Sequence, residues 1–313
     1  MMRISNLGFG TAAIGRPMYI NIRSEKSEEF DFEKFKQDGI EMLENAYQSG
    51  IRYFDTAPGY GMSEDLLIEW LNSKNDPSIE IATKWGYEYT ANFDPNANSH
   101  EVKEHSLRML QKQWKHSENL LPNLTTYQIH SATFDTSVLE NQEVINELVR
   151  LKSEFGIKIG LTTSGDNQTE VLAAALKNDL FEVFQVTYNI FDQSLRLFLE
   201  ENDLIGKRII IKEGLANGRV FRNKNFNHYD TAYSLLENLA NKYSTGVDAI
   251  ALQFCAQTIH AYSVLSGASL KEQLVQNSKA IDLELTVDEI DELKALAITP
   301  QAYWKERKQM EWN

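Results

Sequence analysis

The stretch IRYFDTAPGYGMSEDLLIEWLNSKNDPSIEIATKW, residues 51–85, contains the unit from which most of the chain is built. It has an apolar run at residues 51–57, a segment with apolar residues at helical spacing, and a second apolar run at residues 79–85. Both runs are mostly apolar on both faces, as expected for strands of a parallel sheet that helices cover. The stretch therefore predicts a strand–helix–strand unit with parallel strands.

The same alternation continues along the rest of the chain. Val144, Leu148 and Leu151 show the helical spacing, and Gly156 follows where a helix C-cap is expected. The length allows one or two domains, but eight such units favour a closed (β/α)8 TIM barrel over an open doubly wound sheet, so we predict a single domain over residues 1–313. The predicted strands are LGFGTA (7–12), IRYFDTA (51–57), IEIATKW (79–85), TTYQIH (125–130), IKIGLTT (157–163), VFQVTYN (183–189), RIIIKEG (208–214) and YSVLSGA (262–268).

Composition and charge exclude several classes of partner. The net charge of −14 argues against binding to nucleic acid or to an anionic membrane, because Lys and Arg must supply the attraction to phosphates. The single cysteine, Cys255, excludes an internal disulfide, and the sequence shows neither a signal peptide nor a membrane-spanning apolar run. We expect a cytoplasmic protein, either a monomer or a small homo-oligomer.

Two predicted loops, residues 13–31 and 86–99, are longer than a barrel requires and leave the carboxyl ends of strands, where barrels keep their sites. Their aromatic residues are candidate walls of a substrate pocket, above all Tyr19 and Trp85; alternatively, these rings only anchor the loops. Residues 297–313, which include Tyr303, Trp304 and Trp312, are expected to fold back over the barrel mouth.

Four chemically competent side chains follow three neighbouring strands. Asp55 and Tyr60 come after the second predicted strand, Lys84 closes the third, and His130 closes the fourth. A tyrosine hydroxyl titrates near 10, and a nearby ammonium such as that of Lys84 is expected to lower its pKa. The buried ammonium needs a carboxylate partner, which Asp55 can provide, and His130 can polarise a carbonyl oxygen as a neutral donor.

The motifs around these residues resemble the aldo-keto reductase superfamily. They are LGFGTA (7–12), FDTAPGYG (54–61), SEDLL (63–67), IATKW (81–85) and YQIH (127–130), in the family's order, and the resemblance runs from about residue 7 to 313. It implies a barrel that binds extended NADPH or NADH, without a metal, and interconverts a small aldehyde or ketone, such as a sugar, with its alcohol. In this scheme Tyr60 exchanges the proton as hydride transfers, Lys84 and Asp55 tune Tyr60, and His130 orients the carbonyl.

The resemblance also implies a nicotinamide site. Gln185 corresponds to the glutamine that binds the carboxamide, whereas Thr162 and Thr163 replace the family's common Ser-Asn. Lys212 stands where the family often has an aromatic ring beneath the nicotinamide. A cation cannot stack as an aromatic ring does, so Lys212 is expected either to contact a phosphate or to form an ion pair with Glu213.

The remaining cofactor residues are implied by two segments. The segment that includes Gly214 and LANGR (215–219) resembles the pyrophosphate loop, with Leu215 in contact and Arg219 as a clamp. After the eighth strand, Ser269 and Glu272 have capping-box spacing, which predicts a helix N-terminus suited to phosphate. NADP(H) is expected ahead of NAD(H) on family frequency, although Lys271 is the only cation nearby. The residues implied around the adenosine and its phosphate are Ser266, Gly267, Ala268, Ser269, Gln273 and Asn277.

Two other functions fit parts of this pattern. A barrel lyase could use Lys84 or Lys212 as a Schiff-base nucleophile. A non-catalytic nicotinamide sensor could retain the same barrel. The complete set of four side chains favours the reductase over both. The remaining histidines show no spacing typical of metal ligands, so we expect no metal site.

Overall fold

The protein's structure is a computed structural model that describes residues 7–17, 31–94, 97–202 and 204–310. Within these ranges, eight of the ten strands, all but β4 and β5, are parallel and form a closed barrel in the order β1–β10–β9–β8–β7–β6–β3–β2. Every strand predicted from the sequence is present, which confirms the (β/α)8 TIM barrel. The strands are β1 (Leu7–Gly10), β2 (Tyr53–Asp55), β3 (Glu80–Trp85), β4 (Tyr87–Tyr89), β5 (Glu101–Lys103), β6 (Leu124–Ile129), β7 (Lys158–Thr162), β8 (Phe181–Thr187), β9 (Arg208–Lys212) and β10 (Ser263–Ser266).

Helices connect the barrel strands and bury their apolar faces against the sheet. The predicted C-cap of α5 is present, since Gly156 adopts φ +68° directly after the helix. None of the helices within the described ranges is long and apolar enough to cross a membrane. The helices are α1 (Ala12–Gly15), α2 (Phe32–Gln48), α3 (Ser63–Leu71), α4 (Leu107–Ser117), α5 (Gln142–Phe155), α6 (Gln168–Ala175), α7 (Ser194–Glu201), α8 (Asp230–Lys242), α9 (Val247–Thr258), α10 (Lys271–Ser278), α11 (Val287–Lys294) and α12 (Pro300–Gln309).

The segment predicted as a long loop after β3 contains a hairpin. Strands β4 and β5 pair antiparallel, with Tyr87 opposite Lys103. Gly86 turns the chain from β3 into β4 with φ +109°, and a Cβ at this position would lie 2.3 Å from the His105 ring. Glycine is therefore required here on both conformational and steric grounds. The hairpin brings Glu101 to the barrel mouth, where it contacts Arg16.

The barrel interior is narrow and filled by side chains. A small apolar cluster lies inside the sheet, separate from the larger core between sheet and helices. Gly160 lets β7 pack closely against β8, because a Cβ there would lie 2.5 Å from the carbonyl oxygen of Val183. Such a filled interior leaves the open end of the barrel as the place for a ligand. The buried members of the inner cluster are Tyr53, Ala82, Val183, Ile210 and Leu265.

Helix α12 covers part of the mouth, as expected for the tail. The Thr299 side chain caps its first turn, accepting from the Ala302 N–H at 3.3 Å. Trp304 donates from Nε1 to Asp192 Oδ2 (3.1 Å), and the Tyr303 hydroxyl accepts from Asn189 Nδ2 (3.0 Å). Two aromatic residues thus fix the helix over the end of β8. Trp312 lies outside the described residues.

Candidate active site

Lys84, Asp55, Tyr60 and His130 meet at the carboxyl end of the barrel. Lys84 Nζ donates to Asp55 Oδ2 (2.6 Å), to the Thr56 carbonyl oxygen (2.9 Å) and to Tyr60 Oη (3.3 Å). Tyr60 Oη lies 3.5 Å from His130 Nε2. The structure therefore brings together all four side chains that the sequence proposed as catalytic.

Short-range backbone features set these positions. Tyr60 ends a 3₁₀ turn, Pro58–Tyr60, in which Pro58 supplies the fixed φ of a first helical position. His130 follows β6, and its N–H donates to the Trp85 carbonyl oxygen at 2.9 Å. The His130 carbonyl oxygen lies 2.9 Å from His105 Nε2, so the His105 ring buttresses this turn.

The local electrostatics differ from the sequence-based expectation for Tyr60. Burial and the Asp55 carboxylate raise the pKa of Tyr60 well above 10, and Arg16 opposes this. The ammonium of Lys84 was expected to lower that pKa, but Asp55 neutralises its charge at 2.6 Å. Burial and then Lys84 lower the pKa of His130 well below 6.5. At neutral pH the site thus holds a protonated phenol and a neutral imidazole.

Arg16 is part of this site and was not proposed from the sequence. Its Nη1 donates to the Gly59 carbonyl oxygen (2.9 Å) and to Glu101 Oε2 (2.7 Å). The guanidinium carbon lies 5.4 Å from the centre of the Tyr60 ring. Arg16 is 3% exposed and lines the same cavity as Tyr60. An isolated arginine in a long loop shows no periodicity or motif that would indicate this contact.

An elongated cavity extends from Asp55, Tyr60 and His130 along the carboxyl ends of β7 to β10 and β1. Gln185 lies on its wall and donates from Nε2 to Asp55 Oδ1 at 2.7 Å. Thr162 also faces it, whereas Thr163 turns away and donates to Gln168 Oε1 at 3.3 Å. Of the two threonines proposed as cofactor residues, Thr162 lines the cavity and Thr163 does not. Gly214 and Leu215 line the cavity as well.

Lys212 ends β9 on the wall of this cavity. Its Nζ donates to Thr187 Oγ1 (3.0 Å) and lies 5.8 Å from the centre of the Trp304 ring. The ion pair with Glu213 that the sequence suggested is not formed, because Glu213 Oε1 pairs with Arg307 Nη2 at 3.2 Å. Burial opposes ionisation of Glu213, but Arg307 and then Lys212 lower its pKa to about 2.

Arg219 and Trp85 do not have the positions proposed from the sequence. Arg219 is fully buried and pairs with Glu306 Oε2 (3.1 Å), so it holds α12 in place and cannot clamp a pyrophosphate. Trp85 is fully buried against His105, with ring centres 5.5 Å apart. Side chains alternate along a strand, and Lys84 points into the barrel, so Trp85 points outward and cannot contact a substrate. Tyr19 lies outside the described residues.

The far end of the cavity differs from the predicted phosphate site. Gln273, rather than Ser269 and Glu272, caps α10, because its Oε1 accepts from the N–H groups of Ser269 (2.9 Å) and Leu270 (3.3 Å). The reason is that the helix begins at Lys271 with Leu270 as its N-cap, one residue later than a helix with Ser269 as its N-cap would begin. Ser269 does not line the cavity. The other proposed residues, Ser266, Gly267, Ala268, Gln273 and Asn277, all do.

A carboxylate also borders this end. Asp248, on α9, lines the cavity beside Asn277. In the amide orientation that satisfies both neighbours, Asn277 donates to Asp248 Oδ2 at 2.7 Å and accepts from Ser266 Oγ at 2.8 Å. Burial raises the pKa of Asp248. Asp248 was not proposed from the sequence, where it reads only as an acidic residue in the first turn of a helix.

A barrel with this set of side chains beside an elongated cavity is typical of an NAD(P)-dependent oxidoreductase. The model of the aldo/keto reductase family matches residues 6–298, so the chain belongs to that family. Pyridoxal 4-dehydrogenase from Microbacterium luteolum is 24% identical, with 88% of this chain and 89% of the relative covered. The NADH-specific methylglyoxal reductase of Escherichia coli is 23% identical, covering 90% and 91%.

Solved structures share the fold at a similar level of sequence identity. An aldo-keto reductase from Bacillus halodurans has a TM-score of 0.70 and 22% identity, covering 94% of this chain and 92% of the other. The glycerol dehydrogenase of Gluconobacter oxydans has a TM-score of 0.71 and 20% identity, covering 93% and 90%. The protein is thus an aldo-keto reductase-type oxidoreductase that uses a nicotinamide cofactor and acts on small carbonyl or alcohol compounds.

Proposed function

We propose that the protein interconverts a small aldehyde or ketone, preferably a polyhydroxylated one such as an aldose, with its alcohol, and that Tyr60 is the general acid and base. The observation that carries this proposal is the position of Tyr60 Oη, 3.3 Å from Lys84 Nζ and 3.5 Å from His130 Nε2 at the wall of the cavity. A carbonyl oxygen between the phenol and the imidazole would accept hydrogen bonds from both.

The electrostatics of the site support carbonyl reduction. A phenol with a raised pKa remains protonated at neutral pH and holds the proton that the new alkoxide needs. When the proton has left, the resulting phenolate can accept a hydrogen bond from Lys84 Nζ, and the nearby Arg16 guanidinium stabilises its charge. A bound nicotinamide supplies or accepts the hydride. In the opposite direction, the phenolate of Tyr60 accepts the proton of the alcohol.

The residues along the cavity fit a nicotinamide dinucleotide. The side-chain amide of Gln185 would face the carboxamide of the nicotinamide. Its Nε2 donates to Asp55, so its Oε1 remains to accept a hydrogen bond from the carboxamide. Thr162, Gly214 and Leu215 would flank the ribose and pyrophosphate, and Ser266 to Ala268 would border the adenosine. None of these placements requires a metal ion.

At the adenosine end we propose that NAD(H) binds more tightly than NADP(H), which reverses the order expected from the family. The neutral Gln273 occupies the N–H groups of Ser269 and Leu270 that a phosphate would use, and the carboxylate of Asp248 borders the same end. A 2′-phosphate would thus meet a carboxylate, and among the described residues no buried cation lines this end of the cavity. The similar methylglyoxal reductase is NADH-specific by name, which agrees with this assignment.

The substrate side of the cavity favours a polar compound. Arg16, Glu101 and Ser131 line the cavity near Tyr60. A second, adjoining pocket is lined by Lys103, Thr133 and Asp166, among others, and shares Glu101, Ser131 and Trp304 with the first. These groups can donate to and accept from several hydroxyls. Among similar proteins, D-threo-aldose 1-dehydrogenase and glycerol dehydrogenase act, by name, on such compounds.

The proposal is tested by titrating the purified protein with NADH and NADPH, using cofactor fluorescence, and then by screening aldoses, simple aldehydes and polyols for absorbance change of the cofactor. Tight NADH binding and turnover of hydroxylated carbonyls are expected. Tighter binding of NADPH would refute the cofactor preference alone. Binding of a nicotinamide without turnover of any carbonyl or alcohol would favour the sensor.

A Schiff-base lyase is less well supported. Lys84 Nζ donates hydrogen bonds to Asp55, to the Thr56 carbonyl oxygen and to Tyr60, and these contacts occupy the atom that a Schiff base would need. Lys212 remains the better candidate nucleophile for that reaction. A covalent adduct at Lys212 after borohydride treatment with a carbonyl compound would support the lyase.

A further inference from the structure

Lys212 is a cation on the wall of the proposed nicotinamide site. It ends β9, which lies opposite β3 in the closed barrel, four strands away in either direction. Lys212 therefore faces the cavity from the side across from Lys84 and Tyr60. Its Nζ is held by Thr187 Oγ1, on the neighbouring strand, at 3.0 Å.

No carboxylate of the described ranges lies within ion-pair distance of the Lys212 ammonium. The nearest candidate by sequence, Glu213, is engaged by Arg307 Nη2 at 3.2 Å and by the Tyr303 hydroxyl at 3.1 Å. The charged groups that act on Lys212 are Glu213 and Asp192, which favour its charge, and Arg307 and Lys84, which oppose it. Burial and these two cations lower the pKa of Lys212, while Glu213 partly restores it.

The position of the reacting ring follows from the catalytic side chains. The carbonyl carbon must lie next to the oxygen that Tyr60 and His130 bind, and the hydride donor must approach that carbon to about 3–3.5 Å. The ring would therefore lie between the catalytic side chains and the opposite wall of the cavity. Lys212, at the end of β9, belongs to that opposite wall.

We propose that Lys212 makes this site discriminate between the two redox states of the nicotinamide, binding the neutral reduced ring in preference to the cationic oxidised ring. This inference rests on the proposed function. An ammonium about 5 Å from a second positive charge, at an effective dielectric constant of about 20 to 40, changes the relative affinity by roughly fifteenfold to a few hundredfold. An aromatic ring at this position would not carry that charge.

The preference has a consequence for catalysis. For alcohol oxidation in the bound complex, the alcohol carbon would give a hydride to the ring, and the hydroxyl would give its proton to Tyr60 in its phenolate form, which leaves the ring neutral and Tyr60 protonated. This removes one of the two facing positive charges, so Lys212 shifts the internal equilibrium toward oxidised substrate and reduced cofactor. We therefore expect this protein to catalyse alcohol oxidation more readily than a variant without the charge.

The test measures dissociation constants of NADH and NAD⁺ for the wild type, Lys212→Met and Lys212→Arg, by fluorescence and calorimetry. Methionine retains the length of the side chain without its charge, and arginine retains the charge. We expect the ratio Kd(NAD⁺)/Kd(NADH) to fall by at least about tenfold in Lys212→Met and to stay near the wild-type value in Lys212→Arg. The wild-type ratio should also fall as the pH rises and Lys212 loses its proton, while that of Lys212→Met should not change.

Binding of ADP-ribose, which lacks the nicotinamide, is the internal control. It should be unchanged in Lys212→Met, which also shows that the variant is folded. Weakening of ADP-ribose and both dinucleotides by the same factor would place Lys212 on a phosphate and overturn the inference. An unchanged ratio with normal binding would also overturn it. Failure of the wild type to bind either dinucleotide would instead refute the proposed function.

Discussion

The buried Lys84–Asp55 ion pair offers a prediction that does not depend on any assay of turnover. Replacing Lys84 with methionine removes hydrogen bonds of 2.6 Å to Asp55 and 2.9 Å to the Thr56 carbonyl oxygen. It leaves Asp55, which is 2% exposed, with Gln185 Nε2 as its hydrogen-bond donor. A buried charge that loses its partner costs about 3–5 kcal/mol, so Lys84→Met should lower the free energy of unfolding by that amount.

The matching change on the other side should cost less. In Asp55→Asn the Lys84 ammonium keeps its contact with the Thr56 carbonyl oxygen and can lose its proton, which limits the penalty to about 2–3 kcal/mol. The double variant removes both charges, so its loss should be smaller than the sum of the two single losses by about 2 kcal/mol or more.

The assay is urea unfolding of all four proteins without ligand, followed by tryptophan fluorescence and far-ultraviolet circular dichroism. Coincident transitions by the two probes justify comparing the free energies. Single variants within about 1 kcal/mol of the wild type, or additive losses in the double variant, would refute the reasoning that this pair is a desolvated and mutually dependent unit.

Three further outcomes are expected. Burial and Asp55 raise the pKa of Tyr60 above 10, and burial and Lys84 lower that of His130 below 6.5. The kcat for carbonyl reduction should therefore be constant from about pH 6.5 to 9.5, and a decline centred inside that range would contradict these assignments. Arg16→Met should move the pH profile of alcohol oxidation to higher pH, because Arg16 opposes the rise in the pKa of Tyr60. An unchanged profile would show that Arg16 acts only on the structure of the site. Arg219→Met should reduce stability by roughly 3 kcal/mol, because it removes the buried contacts of Arg219 with Glu306 Oε2 and with the carbonyl oxygens of Ala216 and Tyr303, while ADP-ribose affinity stays within about twofold. Loss of ADP-ribose binding without loss of stability would restore Arg219 as a pyrophosphate clamp.

The barrel could be predicted because its strands carry a local signal. Each is an apolar run bounded by polar or turn residues, and a run such as RIIIKEG remains recognisable in isolation. The positions of Asp55, Lys84 and His130 follow from the same signal, because the carboxyl ends of parallel strands converge at one mouth. The hairpin of β4 and β5 has no such signal, since its strands are three residues long and none of their residues is buried.

The errors at single residues have physical causes that the sequence does not display. Arg219 is drawn into the interior by Glu306, 87 positions along the chain, and no local pattern indicates that contact. At α10 two caps compete within five residues, and Gln273 prevails over Ser269 and Glu272. The error at Trp85 was avoidable, because strand alternation places the Trp85 side chain outside the barrel once Lys84 is placed inside.

The role of Tyr60 is tested most directly by a single-turnover experiment. Wild type, Tyr60→Phe and Tyr87→Phe are loaded with reduced cofactor and mixed with an aldehyde in a stopped-flow instrument. Tyr87 is the matched control, because its ring packs against His130 with ring centres 4.7 Å apart but takes no part in the proposed proton transfer. Tyr60→Phe is expected to oxidise the cofactor about 10² to 10⁴ times more slowly, with unchanged cofactor affinity, and Tyr87→Phe is expected to stay within about threefold of the wild type. A Tyr60→Phe rate equal to that of the wild type would contradict it.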